Sequence, residues 1–150
     1  MWYELEIDAD DNDTYIVTAP DFPEVTTYGV DVEECLLNGL NAIEEAVAAR
    51  ISRNEDLPKP FDDKDESEHR RQYAVRLRLL SFLKMGLYTC CRDDGISRAE
   101  LVRRLGWHRE QVDRLFRLDH KSQLEQIEQA FKAIDIELRS PLPTFQAHAA

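Results

Sequence analysis

Cysteine, glycine and long apolar runs are scarce in this chain, whose 150 residues include 3 Cys, 5 Gly and 6 Pro. Cys35, Cys90 and Cys91 form no CxxC pair, and sequence neighbours rarely close an unstrained disulfide. Reduced thiols in a cytoplasm are therefore expected. No apolar stretch approaches the roughly 20 residues that span a bilayer, and Met1-Trp2-Tyr3-Glu4 lacks the basic start and apolar run of an export signal. The expectation is a cytoplasmic protein with no membrane partner. His69, His108, His120 and His148 are too scattered for zinc spacing, and no serine or cysteine has the context of an activated nucleophile. No metal, no cofactor and no catalytic residue is expected.

Basic residues are scarce as well, but only at first. Residues 1 to 68 hold 20 Asp+Glu against 4 Lys+Arg, a net charge of minus 16, whereas residues 69 to 150 hold 10 against 15, a net charge of plus 5. The whole-chain pI of about 4.8 conceals this division. An acidic half suits a basic protein partner and repels nucleic acid; a compact basic half suits DNA phosphates. The division predicts an acidic domain over 1–60, a polar linker over 61–72 and a basic domain over 73–150. Units this small are marginal alone, so dimerisation or partner binding is a natural supplement to stability.

In the acidic half, Tyr3, Leu5 and Ile7 alternate with Trp2, Glu4 and Glu6, the period-two pattern of a strand with one buried face. The turn formers Asp8-Ala9-Asp10-Asp11-Asn12-Asp13 lead to a returning strand at Thr14 to Ala19. Pro20 and Pro23 interrupt the ladder before a third extended piece at Val25 to Tyr28, ended by Gly29. Asp31 and Glu34 then form a capping box. Leu36, Leu40, Ile43, Val47 and Ile51 follow at helical spacing to about Arg53, with Glu33, Asn41, Glu44, Glu45 and Arg50 toward water. Asp62 to Gln72 is nearly all polar and reads as a linker.

The basic half carries the more specific motif. Ile96 to Phe116 reads as two short helices: Ser97 and Glu100 cap the first, Leu101 and Leu105 mark its buried face, and Gly106 supplies the left-handed residue that ends it. Val112, Leu115 and Phe116 mark the next buried face. This is helix-turn-helix spacing, in which the second helix offers its early residues to base edges in a major groove. Leu80, Leu83, Leu87 and Cys91 suit a preceding helix, while Ser122 and Glu125 read as a cap before Leu124, Ile127, Phe131 and Ile134. Two further strands are expected: one from the alternation of Tyr73, Val75, Leu77 and Leu79, another from Ile136 and Leu138. They are expected to pair within or between chains and to help make a dimer.

On this reading Arg109, Glu110 and Arg114 are candidates for base edges, since Arg pairs bidentately with guanine and Glu accepts from cytosine. His108 is a candidate DNA contact beside ordinary surface histidine. Ser97, Arg98 and Lys121 better suit phosphates. Asp113 reads first as a partner of Arg109 or Arg117 on the same helix.

Asp21-Phe22-Pro23-Glu24, then Thr27-Tyr28-Gly29, then Glu33-Glu34-Cys35, followed by the helix-turn-helix and Asp119-His120-Lys121-Ser122, resemble in order the HicB antitoxins of bacterial toxin-antitoxin operons. The resemblance spans nearly the entire chain. It departs at Val102, where Ala is usual and lets the helices approach, and at Trp107, where a small aliphatic is common. It implies an α+β protein with a degenerate RNase-H-like β-β-β-α domain, a repressor-like helix-turn-helix domain with short dimerising strands, and a homodimer or tetramer that binds operator DNA. It also implies a HicA-like partner, a small basic toxin that cleaves messenger RNA. Occlusion of that toxin by a sheet edge or helix face is expected to use Asp21, Phe22 and Glu24, with Phe22 or another apolar loop group retaining the partner and carboxylates speeding encounter, beside the alternative that the acidic residues only keep the chain in solution.

Two other readings stand beside this one. A stand-alone regulator with a sensing first domain would lack a neighbouring gene for a short basic protein with a prominent histidine. An RNase-H-like hydrolase would need metal-dependent cleavage through Asp8 or Asp10, yet Asp8, Asp10, Asp11 and Asp13 sit in one apparent turn where Asp is a turn former. The same turn imitates the start of a calcium loop, but it lacks the glycine at the sharp turn and has Ala19 where the bidentate Glu belongs.

Overall fold

Strand alternation at the N-terminus produces a sheet with one dry face. The protein, a computed structural model, describes residues 1–62 and 72–139. Strand β1 (Tyr3–Ala9) turns through Asp13, at φ 55°, into β2 (Tyr15–Ala19), which pairs in turn with β3 (Phe22–Gly29). Asp tolerates this left-handed conformation at low cost. Between Thr18 and Ala19 the β2–β3 register slips, so the segment containing Pro23 leaves the regular ladder.

Helix α1 (Val32–Ser52) covers the dry face with Cys35, Ile43, Ala46, Val47 and Ile51. At its start Asp31 Oδ1 accepts the Glu34 N–H at 2.8 Å, as expected, while the Glu34 carboxylate reaches one residue beyond the cap, to the Val30 N–H at 2.8 Å. Two glycines let backbone and helix close. A Cβ on Gly29 would lie 2.7 Å from both the Cys35 nitrogen and Sγ, and one on Gly39 would lie 2.5 Å from Leu5 Cδ1.

Two strand expectations change. The first extended segment is only β4 (Tyr73–Val75), and it pairs antiparallel with β1 of the same chain, giving the order β3-β2-β1-β4. Arg78 stops it: its backbone N–H donates to Glu44 at 3.0 Å and its guanidinium to Glu44 and to Asn41, so the chain turns and Leu79 opens a helix. Glu44 and Asn41, expected toward water, thus hold this corner. The second segment is no strand among residues 136–139. The N–H of Ile136 returns to Phe131 O at 3.0 Å, that of Asp135 to Lys132 O at 3.1 Å, and Asp135 takes φ 61°. That is a Schellman helix end, whose following apolar residue packs back on the helix and mimics alternation. The first segment thus pairs within its own chain, one of the two pairings expected of it. The polar linker expectation falls mostly on residues 63–71, outside the described residues.

The basic half is helical: α2 (Leu79–Asp93), α3 (Arg98–Leu105), α4 (Arg109–Leu115) and α5 (Leu124–Ala133). Ser97 Oγ accepts the Glu100 N–H at 3.1 Å, but the Glu100 carboxylate turns to Arg103 and Arg104 rather than back to Ser97. Gly106 ends α3 at φ 66°, as expected. At α5 the cap residue is Gln123, not Ser122, and its side chain makes no cap bond. Leu87, Leu101, Val112, Leu115, Ile127, Ala130 and Phe131 fill the core between these helices.

Helix α2 joins the halves. Tyr3 Oη donates to Pro58 O at 2.7 Å and meets Met85 Sδ at 3.3 Å, Tyr88 Oη donates to Glu55 O at 2.6 Å, and Arg92 pairs with Asp56 at 2.6 Å.

Candidate functional site

Two surfaces emerge, one on each half. Because residues directly paired across strands share a face, Glu6 and Thr18, Asp8 and Ile16, Thr18 and Thr26, and Ile16 and Tyr28 all point away from α1. Glu6, Asp8, Thr26 and Tyr28 are exposed, Tyr28 by 50%. The result is an open sheet face with an Ile16–Tyr28 centre and a carboxylate margin.

The residues expected to grip a partner lie elsewhere and differ in availability. Asp21 is exposed in the β2–β3 turn. Glu24 is also at the surface, but Arg50 of α1 holds both of its oxygens, at 2.7 and 2.9 Å, and this keeps the carboxyl below its usual range. Phe22 is fully buried; its ring meets Tyr3 edge-on at 5.0 Å and carries the Arg50 guanidinium over it, 5.0 Å from the centroid. As described, Phe22 is therefore a core residue with no surface to offer, because the register slip turns its ring inward beside Ala19. Tyr28 carried no such expectation. Its position in the alternation of β3 was legible, but which face of the sheet stays open depends on where α1 packs.

On the other half, α4 stands at the surface with His108, Arg109, Glu110 and Arg114 exposed, and Ser97 and Lys121 are exposed on either side of it. His108 is the residue from which α4 starts, its N–H donating to Gln111 Oε1 at 2.9 Å. Arg98 is less available: its guanidinium donates to Asp113 at 2.9 Å and lies 4.9 Å from the Phe116 ring. The stronger partner of Asp113 is therefore on the neighbouring helix, with Arg109 more distant at 3.8 Å. Arg98, Glu110, Asp113, Arg114 and Arg117 line one shallow groove. Among the described residues Arg103 pairs with Glu100, whereas Arg104 also donates to Ala133 O at 3.1 Å and so ties α3 to the end of α5.

Sequence reasoning missed Lys84. It is fully buried in α2, and its ammonium donates to Arg114 O at 2.9 Å, Arg117 O at 2.6 Å and His120 O at 2.7 Å. Burial pushes it down to about 8. In sequence it interrupts the apolar stretch of α2, which was the available signal.

Among the described residues no three His, Cys, Asp or Glu side chains gather as a metal site. Asp10 Oδ1 accepts the Asp11 N–H at 2.8 Å, the local bonding of a turn former. No described helix is long and apolar enough to cross a membrane.

Residues 2–86 match the family model for the HicB_like antitoxin of bacterial toxin-antitoxin systems. The chain is 32% identical over 132 residues to Antitoxin HicB of Pseudomonas fluorescens, covering 88% of this chain and 87% of that one. It is 29% identical over 126 residues to Antitoxin HicB of Escherichia coli K12, covering 83% and 86%. Against the crystal structure of the N-terminal domain of Burkholderia pseudomallei antitoxin HicB, identity is 24% and the TM-score 0.41, over 53% of this chain and 100% of that one. Family match and near full-length identity agree: the chain belongs to the HicB-like antitoxins of bacterial toxin-antitoxin systems.

Proposed function

We propose that this antitoxin occludes a small basic messenger-RNA-cleaving toxin of the HicA type with its acidic half and represses its own operon with α3 and α4 acting as a helix-turn-helix. The observation that carries the reading is the separation of the two charged surfaces: Glu6 and Asp8 border the open sheet face, while Arg109 and Arg114 stand on α4. A cationic toxin is drawn to the first and phosphates to the second, and neither ligand competes for the other's site.

On the acidic half, apolar contact holds what charge attracts. Tyr28 takes the retaining role expected of Phe22, because an aromatic ring at the surface offers area at low entropic cost. Asp21 supplies anionic rim. Glu24 contributes less, since binding a toxin cation would compete with Arg50.

On the basic half, Arg109, Glu110 and Arg114 read base edges, His108 assists at the start of α4, and Ser97 and Lys121 hold phosphates. Arg98 acts mainly by seating α4 through Asp113. A two-fold dimer would offer two copies of α4 to a palindromic operator, and two dimers could make a tetramer.

The test is binding of the full chain to duplex from upstream of its own operon and to the product of the adjacent gene, each across a salt series. The duplex affinity should fall steeply with salt, and the toxin should lose ribonuclease activity on binding. Salt-insensitive duplex binding, or an adjacent product left fully active, would overturn the corresponding half.

A further inference from the structure

We propose that Lys84 is the positioning residue that sets the pose of α4, and of the loop that follows it to Lys121, for duplex binding. The inference rests on reading α4 as the helix that faces DNA.

Helix α4 has only 7 residues, too few to be stable through its own hydrogen bonds. Its pose must come from neighbours. The last carbonyls of any helix lack partners within it and form the negative end of its dipole. Here Arg114 O belongs to that last turn, Arg117 O to the turn beyond, and His120 O to the loop. All three converge on one Nζ atom at 2.6 to 2.9 Å. An ammonium is the side-chain group that offers three donors from a single atom, whereas a guanidinium spreads its donors in a planar fork. The convergence fixes the carbonyl of Arg114, a base-edge candidate, and that of His120, the residue before the phosphate candidate Lys121.

The base of this clamp is firm. Met85, next to Lys84 in α2, meets Tyr3 Oη of β1 at 3.3 Å, and Tyr88 one turn on donates to Glu55 O. Gly86 of α2 lies beside Phe131 of α5, where a Cβ would make an ordinary contact 3.7 Å from Cζ. Lys84 therefore reaches the DNA-facing helix from an element seated on both the sheet half and α5. A residue that only filled space would not need its three hydrogen bonds directed at three separate carbonyls.

The test compares the full-length wild type with Lys84→Met, which keeps the length and removes every donor, and Lys84→Gln, which keeps two. Amide hydrogen exchange is read over residues 115–122 and over α1, and affinity is read for operator against scrambled duplex well below the melting temperature. Lys84→Met should speed exchange over 115–122 by at least about tenfold with α1 unchanged, and should reduce the operator-to-scrambled ratio by about tenfold, the scale of one misplaced base contact. Lys84→Gln should lie between. A purely structural lysine would lower the melting temperature and leave the ratio alone. Native exchange and an unchanged ratio in a folded Lys84→Met chain overturn the proposal; should that variant not fold, an unchanged ratio in Lys84→Gln does so. A wild type that binds neither duplex overturns the operator reading itself, an outcome distinct from equal discrimination by wild type and variant.

Discussion

Asp113 of α4 accepts a hydrogen bond from the Arg98 guanidinium at 2.9 Å, so a carboxylate sits in the middle of the surface proposed to meet DNA and engages a cation from the neighbouring helix. Both side chains are more than a third accessible, which limits the pair to about 0.5 to 1 kcal/mol. Asp113→Asn should therefore change stability little. It removes a negative charge facing phosphates and frees Arg98, so non-specific duplex affinity should rise about two- to fivefold with a steeper salt dependence. Anisotropy with scrambled duplex at several salt concentrations checks this; weaker binding would show that the pair's seating of α4 outweighs its charge.

Phe22 and Tyr28 should separate cleanly. Deleting the buried Phe22 ring should cost about 3 to 5 kcal/mol in urea unfolding, because it leaves a cavity beneath Arg50 and beside Tyr3. Tyr28→Ala should cost less than about 1 kcal/mol, since the ring is half exposed, yet weaken toxin binding by about tenfold or more in calorimetry. Undiminished capture by Tyr28→Ala would remove the open sheet face from the account.

Gly29 is expected to resist any side chain. A Cβ there meets the Cys35 nitrogen at 2.7 Å as well as Sγ, and backbone cannot swing aside. Gly29→Ala should destabilise by about 1 to 3 kcal/mol. Adding Cys35→Ala removes the sulfur but not the nitrogen, so it should restore only part of the loss. Full restoration in thermal melts would place the clash on the thiol alone.

Lys84 gives a dependence on pH with a definite sign. Desolvation lowers its ammonium to about 8, with Asp119 pulling it up and Arg117 down, against 10.5 when unburied. Between those values the unfolded chain binds more protons than the folded one, so this group makes stability rise with pH. The stability of wild type relative to Lys84→Met should increase by about 1 to 3 kcal/mol from pH 8 to 10.5. A difference that shrinks over that interval would mean the three carbonyls hold the charge more tightly than water does.

Much of the architecture follows from local pattern. The β1–β2 hairpin, the Asp31 cap, the apolar stripe of α1, the Ser97 cap and the left-handed Gly106 are each decided within a few residues, where periodicity and cap chemistry act. What was not legible depends on distant partners. The end of β4 rests on Glu44, 34 residues from Arg78 in sequence. The inward turn of Phe22 rests on a register slip, and the bonding of Lys84 on carbonyls 30 to 36 residues away. Ile136 misled because an apolar residue after a Schellman end looks like the start of a strand. Motif spacing sufficed to locate α4 and the exposed side chains of His108, Arg109, Glu110 and Arg114 on it, whereas the choice of surface on the acidic half required knowing which side α1 covers.

The most direct test of two separate surfaces is calorimetric titration of both ligands, toxin and upstream duplex, against two full-length variants. Arg109→Ala with Arg114→Ala should lose duplex binding by about 100-fold and capture toxin as wild type does; Glu6→Lys with Tyr28→Ala should do the reverse. If either folded variant lost both ligands together, or neither lost its own, the division of labour between the open sheet face and α4 would be contradicted.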